Sequence, residues 1–171
     1  MGKKAKNAAS EWLTAILVAA SLIIIIRVFL FAPYEVHGES MYPTFKGEEL
    51  LIVNKWIYDV EKPQYGEIVI FHTAEQRDFI KRVIGKPGDR IAVKNGQVYR
   101  NGKKLNEPYM NEKIRRSLPE TVVPQGHLFV MGDNRNHSRD SRDIGPVAIA
   151  EIVGRADVQL TPLSDFRLLF R

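Results

Sequence analysis

Three short stretches of the chain gather groups able to do chemistry: "HGESMYPTF" (37–45), "FIKRVIGKPGD" (79–89) and "MGDNRNHSRDSRDIGP" (131–146). In the first, Ser40 is a possible nucleophile, but a serine hydroxyl reacts poorly until a neighbouring base takes its proton. Gly38 lets the backbone come close to a substrate, and Met41 and Pro43 point to a turn that presents Ser40. An ordinary loop serine is the competing reading. In the second stretch, strand alternation puts Phe79, Lys81 and Val83 on one face and Ile80, Arg82 and Ile84 on the other. A lysine with apolar neighbours on its own face is open to desolvation, which lowers its pKa by as much as ~3–5 units when burial is complete. A neutral lysine near pH 7–8 can act as a general base. The competing reading is an edge-strand or snorkelling lysine, a role that suits the adjacent Arg82 better.

The third stretch packs Asp133, Asn134, Arg135, Ser138, Asp140, Ser141 and Arg142 around a strand end. It reads as a polar turn or as the scaffold of a site, with Asp140 and Arg142 able to pair. Four histidines, His37, His72, His127 and His137, leave a Ser-His-Asp triad open, for example Ser40, His137 and Asp133. No metal site is expected, because one histidine and separated carboxylates give no standard ligand spacing.

The elements that must position these groups are mostly strands. Residues 49–56, 66–73, 79–84, 90–95, 96–101, 126–132 and 152–160 are short runs rich in Val, Ile and aromatics, bounded by Gly, Pro, Asn or Asp. Asn95-Gly96 predicts a two-residue hairpin turn, since both residues accept positive φ, and Asn101-Gly102 a second tight turn. Residues 106–126 show no regular pattern and read as a surface excursion.

Ahead of the strands stands "WLTAILVAASLIIIIRVFLFAP" (12–33). A bilayer core needs about 20 helical residues, so a span from Trp12 must run past Arg27 to Ala32, with Pro33 as the stop. Arg27 would snorkel toward the headgroups, and Trp12 and Tyr34 would sit at the interfaces. Lys3, Lys4 and Lys6 keep the tail inside and send the remainder across. A cleavable signal peptide fits less well, because bulky "FLF" follows Arg27 and no A-x-A site precedes Pro33. A buried helix of a soluble protein fits less well still, because the run is apolar on all sides.

Composition narrows the classes. The absence of cysteine excludes thiol nucleophiles, disulfides and cysteine-ligated metals. The net charge is +5, but residues 28–171 hold 21 basic and 19 acidic residues, leaving only +2 on the folded part. That is no nucleic-acid footprint.

Taken together, "GESMYPTF" (38–45), "DFIKRVIGKPGD" (78–89) and "MGDNRNHSRDSR" (131–142), in this order behind an anchor ending "FLFAPYEV", resemble the bacterial type I signal peptidases (leader peptidases). These are membrane-bound serine proteases that remove signal peptides. The resemblance implies a mainly β fold, an antiparallel sheet or barrel-like catalytic domain with one N-terminal transmembrane helix. Its parts would be a cytoplasmic tail (1–11), an anchor (12–32) and an extracytoplasmic domain (33–171), with a smaller inserted lobe over 86–125. It implies a Ser-Lys dyad of Ser40 and Lys81 in place of a histidine triad. Ser138 matches the serine that orients the lysine, Asp140 and Arg142 a supporting ion pair, and Asp133 and Asn134 positions that hold the site together. The oxyanion would meet the Ser40 N–H. Some members add a serine hydroxyl two residues earlier, where this chain has Gly38. Tyr34, Val36, Met41, Phe45 and Ile80 would line pockets for small residues of an A-x-A-like cleavage site, with the substrate added as a β-strand. The implied partners are signal peptides and the lipid bilayer, the implied location is the cell membrane in single-pass type II topology, and no cofactor is implied. Trp56 either touches lipid or belongs to the core. The rival class is a catalytically inert anchored β-domain, which need not keep both Ser40 and Lys81.

Overall fold

The computed structural model describes residues 2–25 and 30–169. Helix α1 spans Gly2–Ile25. Among the described residues twelve strands follow: β1 (Phe31–Glu35), β2 (Leu50–Asn54), β3 (Ile68–His72), β4 (Asp78–Gly85), β5 (Arg90–Lys94), β6 (Gln97–Arg100), β7 (Lys103–Lys104), β8 (Leu118–Val122), β9 (His127–Met131), β10 (Val147–Ala148), β11 (Ile152–Gln159) and β12 (Arg167–Leu168). One-turn helices α2 (Ile57–Val60) and α3 (Ser141–Ile144) interrupt them.

All strand pairs are antiparallel. The larger sheet runs β1-β2-β11-β3-β4-β9-β10, with β12 added beside β11. The smaller runs β7-β6-β5-β8. Strand β3 lies near the middle of the larger sheet and is apolar without alternation because both its faces are covered. Ile68 and Ile70 join Val36, Met41, Phe45, Leu51, Val53 and Ala156 in one core. Val69 and Phe71 join Val83, Leu128, Val130 and Val147 on the other face. A third core, including Ile84, Ile91, Val98, Phe129 and Met131, joins the two sheets. Register shifts at Val83/Gly85, Ile152/Gly154 and Ala156/Val158 bend the larger sheet. Gly154 sits at one of them because a β-carbon there would meet the Asn54 carbonyl.

Asn95-Gly96 and Asn101-Gly102 adopt positive φ, as expected, and turn β5 into β6 and β6 into β7. Three expectations change. Phe31 and Ala32 do not extend the helix; they open β1, and Pro33 sits inside that strand opposite Ile52. Proline is tolerated there because β1 is an edge strand. Residues 106–126 are not wholly irregular, since Leu118–Val122 forms β8, another edge strand that accommodates Pro119. Trp56 is 49% exposed and so does not belong to the core.

Among the described residues no helix is long and apolar enough to cross a membrane. The expected snorkelling Arg27 lies outside the described residues. The part of α1 that is described exposes Trp12, Leu13, Ile16, Leu17, Val18, Leu22, Ile23 and Ile24.

Candidate active site

Ser40 lies in a turn between β1 and β2, closed by Tyr42 N–H to the Glu39 carbonyl (3.0 Å) and Phe45 N–H to the Met41 carbonyl (3.0 Å). Two anchors hold it. Beneath it Met41 and Phe45 are fully buried in the core. On its far side the Glu49 carboxylate accepts from the N–H groups of Lys46 (2.6 Å), Gly47 (2.9 Å) and Glu48 (3.1 Å). Burial would raise the Glu49 pKa, but these backbone donors hold it below its ordinary value.

Lys81 comes from the middle of β4, opposite Val69 of β3. It is 3% exposed, and the Phe79 ring lies 5.0 Å from its Nζ. Nζ lies 2.9 Å from Ser40 Oγ and 2.8 Å from the Ile80 carbonyl oxygen. Burial is the dominant influence on its pKa. It lowers the value from 10.5 to about 8, against Asp140 and Asp133, which pull it upward. A serine and a largely desolvated amine in hydrogen-bond contact have the geometry of a nucleophile and its base.

The loop after β9 joins the two. Asp133, fully buried, accepts from Arg82 Nε (2.8 Å) and Nη2 (2.6 Å) and from Thr44 Oγ1 (2.5 Å). Arg82 follows Lys81 on β4, and Thr44 belongs to the Ser40 turn. One carboxylate therefore ties base and nucleophile together. Asn134 adds its N–H to the Ser40 carbonyl (3.1 Å) and its Nδ2 to the Glu39 carbonyl (3.0 Å). Asp140 accepts from Gly132 N–H (3.0 Å) and from Arg142 Nε and Nη2 (2.8 Å each), and it caps α3. Gly132 cannot be larger, because a β-carbon would collide with Ser138 Oγ and the Ser40 carbonyl.

Ser40 and Lys81 open onto a cleft of about 710 Å³, also lined by Tyr34, Val36, Leu51, Ile70 and Ile80.

The family model described as "Signal peptidase, peptidase S26" matches residues 9–161. The chain belongs to the signal peptidase family. It is 42% identical over 173 residues to the signal peptidase I of Bacillus caldolyticus, covering 93% of each chain. It is 37% identical over 178 residues to the signal peptidase IB of Staphylococcus aureus strain MRSA252, covering 94% of this chain and 93% of that one. Among solved structures it is similar to a signal peptidase I from Enterococcus faecalis V583, with a TM-score of 0.51 and 32% identity. That match covers 56% of this chain and 97% of the other. Membership makes this a peptidase of the signal peptidase class with a mainly antiparallel β fold.

The structure brings most of the expected site residues of this signal peptidase family member together and corrects others. Tyr34, Val36 and Ile80 line the cleft, whereas Met41 and Phe45, expected beside them, are not among its lining residues and pack in the same core beneath it. Leu51 and Ile70 line it instead. Each lies on the same face of the sheet as the expected wall residue opposite it, Tyr34 and Ile80 respectively. Ser138 was expected to orient Lys81. Its buried Oγ has no hydrogen-bond partner among the described residues, and the Ile80 carbonyl contacts Nζ in its place. The bland part expected of Arg82 is wrong, since it is the clamp on Asp133. The triad named as an example is not assembled: Asp133 is bound by Arg82 and Thr44, and His137 is exposed. Thr44 lies within the quoted stretch "GESMYPTF", but nothing in the sequence marks it as a partner of Asp133, 89 residues away.

Proposed function

We propose that this chain is a membrane-anchored serine endopeptidase that removes signal peptides from exported pre-proteins after small residues, through a Ser-Lys dyad. The observation that carries this reading is the 2.9 Å contact between Ser40 Oγ and the buried Lys81 Nζ, both lining the cleft walled by Tyr34, Val36, Leu51, Ile70 and Ile80. Family membership supports the substrate class.

In this reading neutral Lys81 accepts the Ser40 hydroxyl proton as Oγ attacks the scissile carbonyl. The Ser40 N–H receives the developing oxyanion; Gly38, at φ +80, keeps the approach open. The tetrahedral species collapses, the Lys81 ammonium gives its proton to the leaving amine, and an ester to Ser40 remains. Lys81, neutral again, takes a proton from water as it attacks the ester and hands that proton to Ser40 Oγ as the acyl group leaves. Asp133 and Asn134 hold the two groups in register, and the Asp140–Arg142 pair fixes the loop that carries them. The substrate pairs as a strand along the cleft, its small side chains directed at Tyr34, Val36 and Ile80.

The anchor is the apolar part of α1 from Trp12 onward, with residues 1–11 inside and the β-domain outside. Its apolar residues are exposed on every side, which suits lipid and not water. Residues 26–39 separate the described end of α1 from Ser40, a tether that keeps the cleft within reach of the membrane surface. Enzyme and substrate held in one membrane meet at raised effective concentration.

The test is cleavage of an A-x-A pre-protein by Ser40→Ala and Lys81→Ala in the detergent-solubilised chain. Both should lose cleavage while keeping the β-domain circular dichroism spectrum. Cleavage retained by Lys81→Ala would sink the dyad.

A further inference from the structure

The segment after β7, Asn106 to Met110, lies in the stretch expected to be a surface excursion, yet it closes a ring of contacts around the base. The Tyr109 ring lies 4.1 Å from the Arg82 guanidinium. Its hydroxyl donates to Glu107 Oε1 (2.8 Å). The Glu107 carboxylate, 6% exposed, accepts twice from the fully buried Arg135 (2.6 and 3.0 Å). Arg135 Nε donates to the Gly132 carbonyl (3.0 Å), and its Nη1 contacts Met110 Sδ (2.9 Å). Gly132 precedes Asp133, which grips Arg82. The ring Arg82–Asp133–Gly132–Arg135–Glu107–Tyr109 thus returns to the residue beside Lys81.

We propose that Tyr109 and Glu107, supplied by the segment between the strands of the smaller sheet, are positioning residues for Lys81 and act through Arg82. The inference rests on Lys81 being the base. Tyr109 covers the face of a guanidinium whose edge is committed to Asp133. A stacked aromatic restrains that plane, and Arg82 shares the β4 backbone with Lys81. Glu107 neutralises Arg135, which holds the carbonyl just before Asp133. The charges facing Lys81 are Asp133 and Asp140, matched by Arg82 and Arg142. Farther round the cleft stand Glu35, His37, Arg77, Asp78 and Arg139. Loosening Arg82 therefore leaves Asp133 less neutralised and acting more fully on the lysine, favouring its ammonium form.

The experiment uses the full chain in detergent micelles with a signal-peptide substrate. Expected for Tyr109→Leu is a kcat lower by about tenfold or more with KM unchanged, since small misplacements at a reacting centre are costly. The acid limb of the pH–rate profile should also move to higher pH. Tyr109→Phe keeps the ring over Arg82 and should restore both. Glu107→Gln leaves the ring in place but makes Arg135 an unmatched cation near Asp133, so it should lower kcat and move the limb to lower pH, and it serves as the deciding variant if Tyr109→Leu does not fold. A lower Tm with unchanged kcat and unchanged limb, in Tyr109→Leu or in Glu107→Gln, would overturn the inference and leave a structural contact. Lys81→Ala runs alongside. Activity in that variant would mean that the dyad itself is wrong; its inactivity beside a wild-type Tyr109→Leu would reject the positioning ring alone.

Discussion

Removing the Asp133 carboxylate separates stability from chemistry, because the two should move in ways that general damage cannot mimic. Its side chain is fully buried and that of Arg82 is 12% exposed. In Asp133→Ala the guanidinium keeps its charge but loses both bonds, and Thr44 loses its acceptor. Leaving one member of a buried pair alone costs about 3–5 kcal/mol. At about 2–4 °C per kcal/mol for a domain of this size, Tm should fall by about 6–20 °C. Asp133→Asn keeps an oxygen for one donor and should fall less. The effect on Lys81 has its own sign. Asp133 is one of two carboxylates that raise the lysine pKa, and without it Arg82 is an unmatched cation nearby. Both changes disfavour the ammonium, so the Lys81 pKa drops below about 8 and the acid limb of activity moves to lower pH while kcat falls. The assays are thermal unfolding by circular dichroism and a pH–rate profile of peptide cleavage. An unchanged Tm in Asp133→Ala, or an acid limb that stays put or moves upward in Asp133→Asn, would refute the reasoning.

Other substitutions probe the surroundings. Gly132→Ala should abolish cleavage and lower Tm, since the added carbon meets Ser138 Oγ and the Ser40 carbonyl with no room to yield; retained activity would contradict the tight packing. Met41→Ala should cost about 2–5 kcal/mol by leaving a cavity under the nucleophile, whereas Ile80→Trp should fill the cleft and block substrate with little loss of stability, both read by unfolding and cleavage assays. Glu49 is held below its ordinary pKa, so its contribution to stability is present above the ordinary carboxyl range and lost as pH falls through its folded value. Glu49→Gln should lower stability at neutral pH and flatten the acid side of the Tm–pH curve.

Local pattern and non-local contact divide what was readable in advance. The desolvation of Lys81 was legible because alternation within one strand places Phe79 and Val83 beside it, and that relation needs no knowledge of the fold. The Asn-Gly turns were legible for the same reason. Arg82 was misjudged because its partner Asp133 is 51 residues away, and nothing local distinguishes a clamp from a solvated charge. Met41 and Phe45 enter the expected pocket through the family resemblance alone, and no local pattern says which way they face. Which side of a turn faces the core depends on the strands packed beneath it. Strand β1 was hidden because apolar residues continue from the helix into it, and β8 because Pro119 argues against a strand unless its edge position is known.

The most direct measurement is the pH dependence of the single-turnover rate of Ser40 acylation by a signal-peptide substrate, with and without Lys81. A pKa of about 8 leaves about a tenth of the amine neutral at pH 7, against ~0.03% at 10.5. The account predicts a rate that climbs with pH to a limb near 8 and vanishes in Lys81→Ala. A limb near ~6.5 that disappears on replacing a histidine, or acylation that survives in Lys81→Ala, would contradict it.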